Sequence, residues 1–473
     1  MEDRQELLRS LPSVEVVVEK LERSSDASSH PRQVMVKAAR EVVSELRQGI
    51  LDGSIKEAPG ESGVLDRVRI RLQESRLRGI RKIINATGVI VHTNLGRSLL
   101  AEEARAAVDE AVSSYASLEM DLVTGKRTSR TAHVCDLLSG LVGCEGAAVV
   151  NNNAAAVMLV LNTLCSGREV VVSRGELVEI GGSFRLPEII EKSGAKLVEV
   201  GTTNRTRLED YERAVTERTG AILKVHQSNF MMSGFVESVS CADLAKLADK
   251  KGLLLIDDLG SGALYDFAEM GIGREPLPQD SLKSGVHIVT FSGDKLMGGP
   301  QAGIVLGKGD LVEKCRRNPM ARALRVDKVT LAALQATLML YLDPEHIVER
   351  MPTLKMMAAP AEEIRKRAER VAEALSQEAG AAAAISVAED QSRIGGGALP
   401  GSAIPTYVIV ISPGETSADD FVLEMRKCEV PVIGRISEDR ALLDLRTVNP
   451  SEDDLLIKSI NGIFARIRDN ERS

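Results

Sequence analysis

Val289 to Gly307 reads VTFSGDKLMGGPQAGIVLG, an apolar run, a turn of small and polar residues with one lysine, two glycines and a second apolar run. This is the pattern of a strand, a lysine-bearing loop and a return strand. Lys295 follows Ser292, Gly293 and Asp294 and precedes Gly298-Gly299. A lysine so placed can form a Schiff base, and the glycines let the backbone approach a bulky cofactor. Alone it would read as a turn lysine. Outward from it, between Ile83 and Leu338, the short runs AAVV, EVVV, KLVEV, AILKVH, LLLID and HIVTF alternate with helical segments. Strands alternating with helices predict an α/β domain whose mostly parallel sheet is covered on both faces.

Three further strand ends carry polar residues. LLLIDDLGSG ends in Asp257 and Asp258. A carboxylate there could keep a pyridine nitrogen protonated, or merely cap a turn. Asp257 is preferred because it follows Ile256 directly, with Asp258 as the alternative. VHQSNF ends in His226, Ser228 and Asn229, and Asn229 could donate to a phenolic oxygen. GCEGAAVVNNNAAAVML runs strand, turn, helix, so Asn152 and Asn153 stand at a helix start whose free N–H groups suit a phosphate. A simple asparagine cap is the plainer alternative. GxGxxG and GxxxxGK[ST] are both absent, which argues against dinucleotide and nucleoside-triphosphate folds.

The chain has 473 residues, 44% hydrophobic and 27% charged, enough for two to four domains and outside the collagen-like, coiled-coil and low-complexity classes. Its net charge of -8 excludes a polybasic coat, so any nucleic-acid contact needs a local basic patch. Six scattered cysteines without a CxxC pair suggest neither a metal site nor a disulfide framework. The first twenty residues lack the apolar core of a signal peptide and no long apolar run follows, so a cytoplasmic protein without membrane contact is expected.

Residues 1–62 read as amphipathic helices, with Val34, Val36, Ala39, Val42, Val43 and Leu46 on one stripe. Residues 63–82 read as a basic linker carrying Arg67, Arg69, Arg71, Arg76 and Arg78. Residues 83–338 form the large catalytic domain, and 339–473 a smaller α+β domain.

The chain order of phosphate loop, ring-oxygen donor, pyridinium carboxylate and lysine resembles the fold-type I pyridoxal-phosphate enzymes, the aspartate-aminotransferase-like fold. INATGVIVHTNLGRSLL (Ile84 to Leu100), VGTTNRT (Val200 to Thr206), LLLIDDLGSG, FSGDKLMGGPQAG and RNPMARALRVDK (Arg317 to Lys328) are similar to the bacterial selenocysteine synthase family, the L-seryl-tRNA(Sec) selenium transferases. TSRTAHV fits more loosely, with Thr128 where a glycine is expected.

The resemblance implies a homodecameric transferase that uses pyridoxal 5'-phosphate to convert seryl-tRNA(Sec) into selenocysteinyl-tRNA(Sec) with selenophosphate. The route it implies is an external aldimine, β-elimination to aminoacrylyl-tRNA and selenium addition. Lys295 and Asp257 are then catalytic, and Asn229, Asn152, Asn153 and Ser292 join them in holding the cofactor. Arg97, Arg322 and Arg325 form the selenophosphate pocket by similarity, and the N-terminal domain with the basic stretch recognises tRNA. Arg446 reads as structural or tRNA-facing, because an esterified serine has no free carboxylate for it to clamp. Two other functions compete. A lyase or transaminase acting on a free amino acid would need a carboxylate-binding arginine, and a non-catalytic RNA-binding scaffold would leave Lys295 unexplained.

Overall fold

Leu255, Ile256 and their neighbours are apolar without interruption because both faces of their strand are covered. In the computed structural model, which describes residues 2–24, 30–77, 79–181 and 184–471, seven strands form the main sheet. They are β1 (Gly146–Val150), β2 (Glu169–Ser173), β3 (Lys196–Val200), β4 (Thr219–Val225), β5 (Leu254–Gly260), β6 (Ile288–Ser292) and β7 (Gly303–Gly307), in the order β1-β7-β6-β5-β4-β2-β3. The pairs from β3 through β2, β4 and β5 to β6 are parallel, and β7 runs antiparallel to both β6 and β1. Alternate residues supply two cores. Val171, Ile222, Leu255 and Val289 belong to one, while Val170, Leu223, Ile256 and Ile288 belong to the other.

The lysine loop follows β6 and returns as β7, as the opening sequence predicts. Gly298 and Gly299 serve packing instead of approach to a cofactor. A Cβ on Gly298 would meet Met351 Sδ at 2.5 Å, and one on Gly299 would meet Met297 Cε at 2.9 Å. A second sheet, order β8-β9-β11-β10, is antiparallel and built from β8 (Ala383–Arg393), β9 (Ala403–Pro413), β10 (Arg435–Ser437) and β11 (Arg440–Asp444). Residues Ile84–Cys428 and those from Val432 on form one compact unit that holds both sheets.

The other unit comprises the residues up to Ile83 with Glu429–Pro431. Its helices are α1 (Glu2–Ser10), α2 (Val14–Glu22), α3 (Arg32–Asp52) and α4 (Glu61–Leu77). The buried stripe of α3 is Met35, Ala38, Ala39, Val42, Val43 and Leu46, with Val34 and Val36 only partly covered. The stretch expected as a linker is α4, because Val64, Val68 and Leu72 recur every fourth residue and bury against this core. Its arginines are also partly engaged. Arg69 bonds Asp66 at 3.1 Å, and Arg71 bonds Glu41 at 3.3 Å and Glu45 at 2.9 Å. Arg67 is exposed. Arg78 and the side chain of Arg76 lie outside the described residues. Among the described residues no helix is long and apolar enough to cross a membrane.

Candidate active site

Lys295 lies in the loop after β6 with only 4% of its surface exposed. Burial, reinforced by Arg97, pulls its amine below the usual lysine value, while Asp258, Asp294 and Glu275 pull it back. The ammonium loses hydration there, so the neutral, nucleophilic form is easier to reach than for an exposed lysine. The chain closes over this amine from far along the sequence. Gly397 has φ +86°, and a Cβ there would lie 2.6 Å from Lys295 Nζ, so only glycine fits. The run RIGGGALPG was not singled out in the sequence, although three consecutive glycines signal a close backbone approach.

The two aspartates of β5 separate by strand alternation. Asp258 Oδ1 accepts from Asn153 Nδ2 at 2.8 Å and from Thr290 Oγ1 at 3.0 Å, and its charge acts on Lys295. Asp257 Oδ2 instead accepts from Ser281 Oγ at 2.7 Å and faces Cys241 Sγ at 3.6 Å. Asp257 thus points to the opposite face of the sheet, and Asp258, the alternative, shares the lysine's side. Burial raises the affinity of both carboxylates for a proton.

Helix α5 (Asn153–Cys165) begins at this same place. Asn152 Oδ1 caps it by accepting from Ala155 N at 2.9 Å, and Asn153 reaches Asp258. Ser292 is buried at the end of β6. Asn229 Nδ2 donates one of its two hydrogens to Glu179 O at 2.9 Å, and its Oδ1 is buried without a partner. Ser228, one residue earlier and 1% exposed, has a hydroxyl without a partner and lies against Gly260.

Asn153 Oδ1, Ser228 Oγ and Ser261 Oγ are all buried without hydrogen-bond partners. Each such atom costs about 1–3 kcal/mol unless a ligand or water satisfies it. All three belong to the Asp258–Lys295 neighbourhood, Ser261 through its carbonyl, which accepts from Leu296 N at 3.1 Å. The residues present fit a polar, phosphate-bearing aromatic aldehyde: an amine to bind it, a carboxylate for a ring nitrogen, a helix start, and hydroxyl and amide groups awaiting partners. Phe184, the one aromatic near SRGELVEIGGSF, has a side chain outside the described residues.

The three arginines expected together divide between two places. Arg97 takes a left-handed backbone, φ +63°, and its Nη1 donates to Asp294 Oδ2 at 2.8 Å beside Lys295. Arg322 and Arg325 line a cavity of about 390 Å³ together with Glu119 and Arg130. Arg446 is 3% exposed and gives its donors to Met356 O at 2.9 Å, Ala359 O at 2.7 Å, Pro405 O at 2.6 Å and Ser392 Oγ at 3.0 Å. This is a structural role. Among the described residues no group of three or more histidine, cysteine, aspartate or glutamate side chains is arranged to hold a metal ion.

A sheet in this order, with a lysine after its sixth strand and a carboxylate at the end of its fifth, defines an aspartate-aminotransferase-like fold of the fold-type I class. D-Glucosaminate-6-phosphate ammonia-lyase superposes with a TM-score of 0.58 over 84% of this chain and 98% of its own, at 21% identity, and thereby shares the fold. Within that class the chain belongs to the L-seryl-tRNA selenium transferase family. The family model matches residues 83–449, and a selenocysteine synthase N-terminal model matches residues 8–47. The L-seryl-tRNA(Sec) selenium transferase of Carboxydothermus hydrogenoformans is 46% identical over 95% of this chain and 96% of its own. That of Clostridium perfringens is 45% identical over 97% and 99%.

Proposed function

We propose that the chain converts the serine esterified to tRNA(Sec) into selenocysteine, with selenophosphate as selenium donor and pyridoxal 5'-phosphate held on Lys295. The observation that carries this reading is the buried amine of Lys295 beside Asp258, in a chain that matches selenium transferases along nearly its whole length. When bound, pyridoxal phosphate supplies an electron sink for the pair left at the serine Cα. Lys295 Nζ, biased toward its neutral form, takes the Cα proton. Asp258 holds a proton at the ring nitrogen, and Asn153 and Thr290 fix its orientation. The first N–H groups of α5 receive the phosphate, and the unpartnered hydroxyl of Ser228 joins the remaining N–H of Asn229 as a donor to the ring oxygen.

Net conversion breaks the Cβ–O bond, releasing the hydroxyl with a proton as water. The Se–P bond of the donor also breaks, its phosphoryl group passing to water as inorganic phosphate, and a Cβ–Se bond forms. Arg322 and Arg325 supply planar, permanently charged donors for the oxyanion of the selenium donor. Arg97 serves at the lysine, through Asp294, in preference to that cavity. The engagement of Arg446 supports an esterified substrate over a free amino acid, since four of its five N–H donors are taken and no pair is left for a bidentate grip on an α-carboxylate. The unit up to Ile83 contacts tRNA, and Arg67 is an exposed basic residue of its helix α4. A homodecamer working in the cytoplasm completes the reading.

Turnover of seryl-tRNA(Sec) plus selenophosphate, compared with free serine, tests the assignment. Reaction with the aminoacylated tRNA alone is expected; efficient turnover of free serine would refute it. Substitution R67E should weaken tRNA binding most at low salt and flatten its salt dependence, without changing the cofactor's absorption band.

A further inference from the structure

The cavity that holds Arg322 and Arg325 carries more positive charge than two ligand residues would require. Among the described residues its wall presents guanidinium groups from Arg127, Arg130, Arg316, Arg317, Arg322 and Arg325, against the single carboxylate of Glu119. Glu313, which is not part of the wall, offsets Arg316 at 3.8 Å and Arg317 at 2.7 Å. Glu119 accepts from Arg130 Nε at 3.0 Å and Nη2 at 2.5 Å and from Arg127 Nη2 at 2.8 Å, and Arg325 Nη1 is 3.9 Å away. Arg322 has no ion-pair partner among the described residues.

So many like charges around one cavity repel one another. Burial together with Arg130 and Arg322 makes Arg325 easier to deprotonate than an ordinary arginine, and Glu119 opposes this. Arg127 and Arg317 are mostly exposed to solvent, whereas Arg130, Arg322 and Arg325 have the single carboxylate of Glu119 among them in the cavity, an arrangement that suits an added anion. The carboxylate of Glu119 is the anion the chain itself provides. Its backbone is anchored, since Glu119 O accepts from Thr128 N at 3.0 Å and the neighbouring Met120 pairs with Arg127 across the turn.

We propose that Glu119 is a specificity-determining residue of this cavity: its carboxylate occupies part of the oxyanion site, so that a multiply charged tetrahedral anion of the phosphate class displaces it from Arg130 while singly charged anions do not. The inference rests on the reading of Arg322 and Arg325 as oxyanion ligands. Displaced, Glu119 keeps Arg127, which is 80% exposed and free to follow it outward. The resident carboxylate lowers affinity for every anion, and only a ligand with two or more charges recovers the difference through charge-assisted bonds to several guanidinium forks.

Inorganic phosphate is the probe, titrated calorimetrically into the full-length protein. E119Q keeps the shape and removes the charge, and it should bind phosphate about tenfold more tightly and lose discrimination against chloride. E119D, whose shorter reach weakens the hold on Arg130, should gain affinity in the same direction, and it covers the case in which E119Q does not fold. Phosphate affinity unchanged or reduced in a folded E119Q or E119D overturns the proposal. R325A separates the two layers of the argument. Weaker phosphate binding in R325A is expected and supports the cavity as an oxyanion site, whereas wild-type phosphate binding in R325A refutes that underlying reading.

Discussion

Asp257 and Asp258 are neighbours in β5, both buried, yet they serve opposite faces of the sheet. Asp258 meets Asn153, Thr290 and the field of Lys295, and unpartnered polar atoms lie around it. Asp257 meets Ser281 and Cys241 beneath the helix Cys241–Lys251, where Lys224 and Glu176 complete a closed ion pair at 2.9 Å. The first environment lacks the partner a ligand would bring, while the second is already satisfied. A buried carboxylate becomes catalytic through what is missing around it as much as through its own chemistry.

The comparison can be broken most decisively at the lysine. K295A should lower turnover by about 10⁴-fold or more and abolish the visible absorption band of the reconstituted protein, since both the attachment and the proton acceptor are lost. A retained, borohydride-sensitive band would place the cofactor elsewhere. D258N should cost about 10²–10³-fold in turnover and shift that band, as removal of a single electrostatic contact does in other active sites. D257N should leave the band in place and keep turnover close to wild type. If D257N proved the more damaging, the assignment of faces would be wrong.

A pH experiment sharpens the contrast. Burial lowers the Lys295 pKa below its ordinary 10.5, so between the folded value and 10.5 the unfolded chain binds more protons than the folded one. Stability contributed by this group therefore rises with pH across that window. Chemical denaturation of the cofactor-free protein should show wild type gaining on K295M as pH increases through it, and parallel curves would contradict the burial argument. The smallest effect belongs to the closed face. S281A removes the hydroxyl bonded to Asp257 and should cost about 1–2 kcal/mol in thermal or denaturant unfolding with turnover preserved.

Much of this was legible from the chain alone. Lys295, Asn153 and the alternation of strands and helices stand out because strand ends and lysine loops have short, local signatures. The phase of β5 does not. In LLLIDD every residue before the aspartates is apolar, since both faces are buried, so no alternation tells which carboxylate faces which side. Helix α4 was obscured for a different reason: its arginines dominate the composition while Val64, Val68 and Leu72 carry the fold.

Local patterning thus determined the class of fold, the lysine loop between two strands and the asparagine-capped helix start, because each depends on residues within a few positions of one another. Tertiary structure alone decided the choice of Asp258, the placement of Gly397 against Lys295, the separation of Arg97 from Arg322 and Arg325, and the meeting of Glu119 with Arg325. These join positions tens to hundreds of residues apart. Electrostatics and steric fit act through space at a few ångströms, and nothing in the linear order of a chain encodes which distant side chains will come that close.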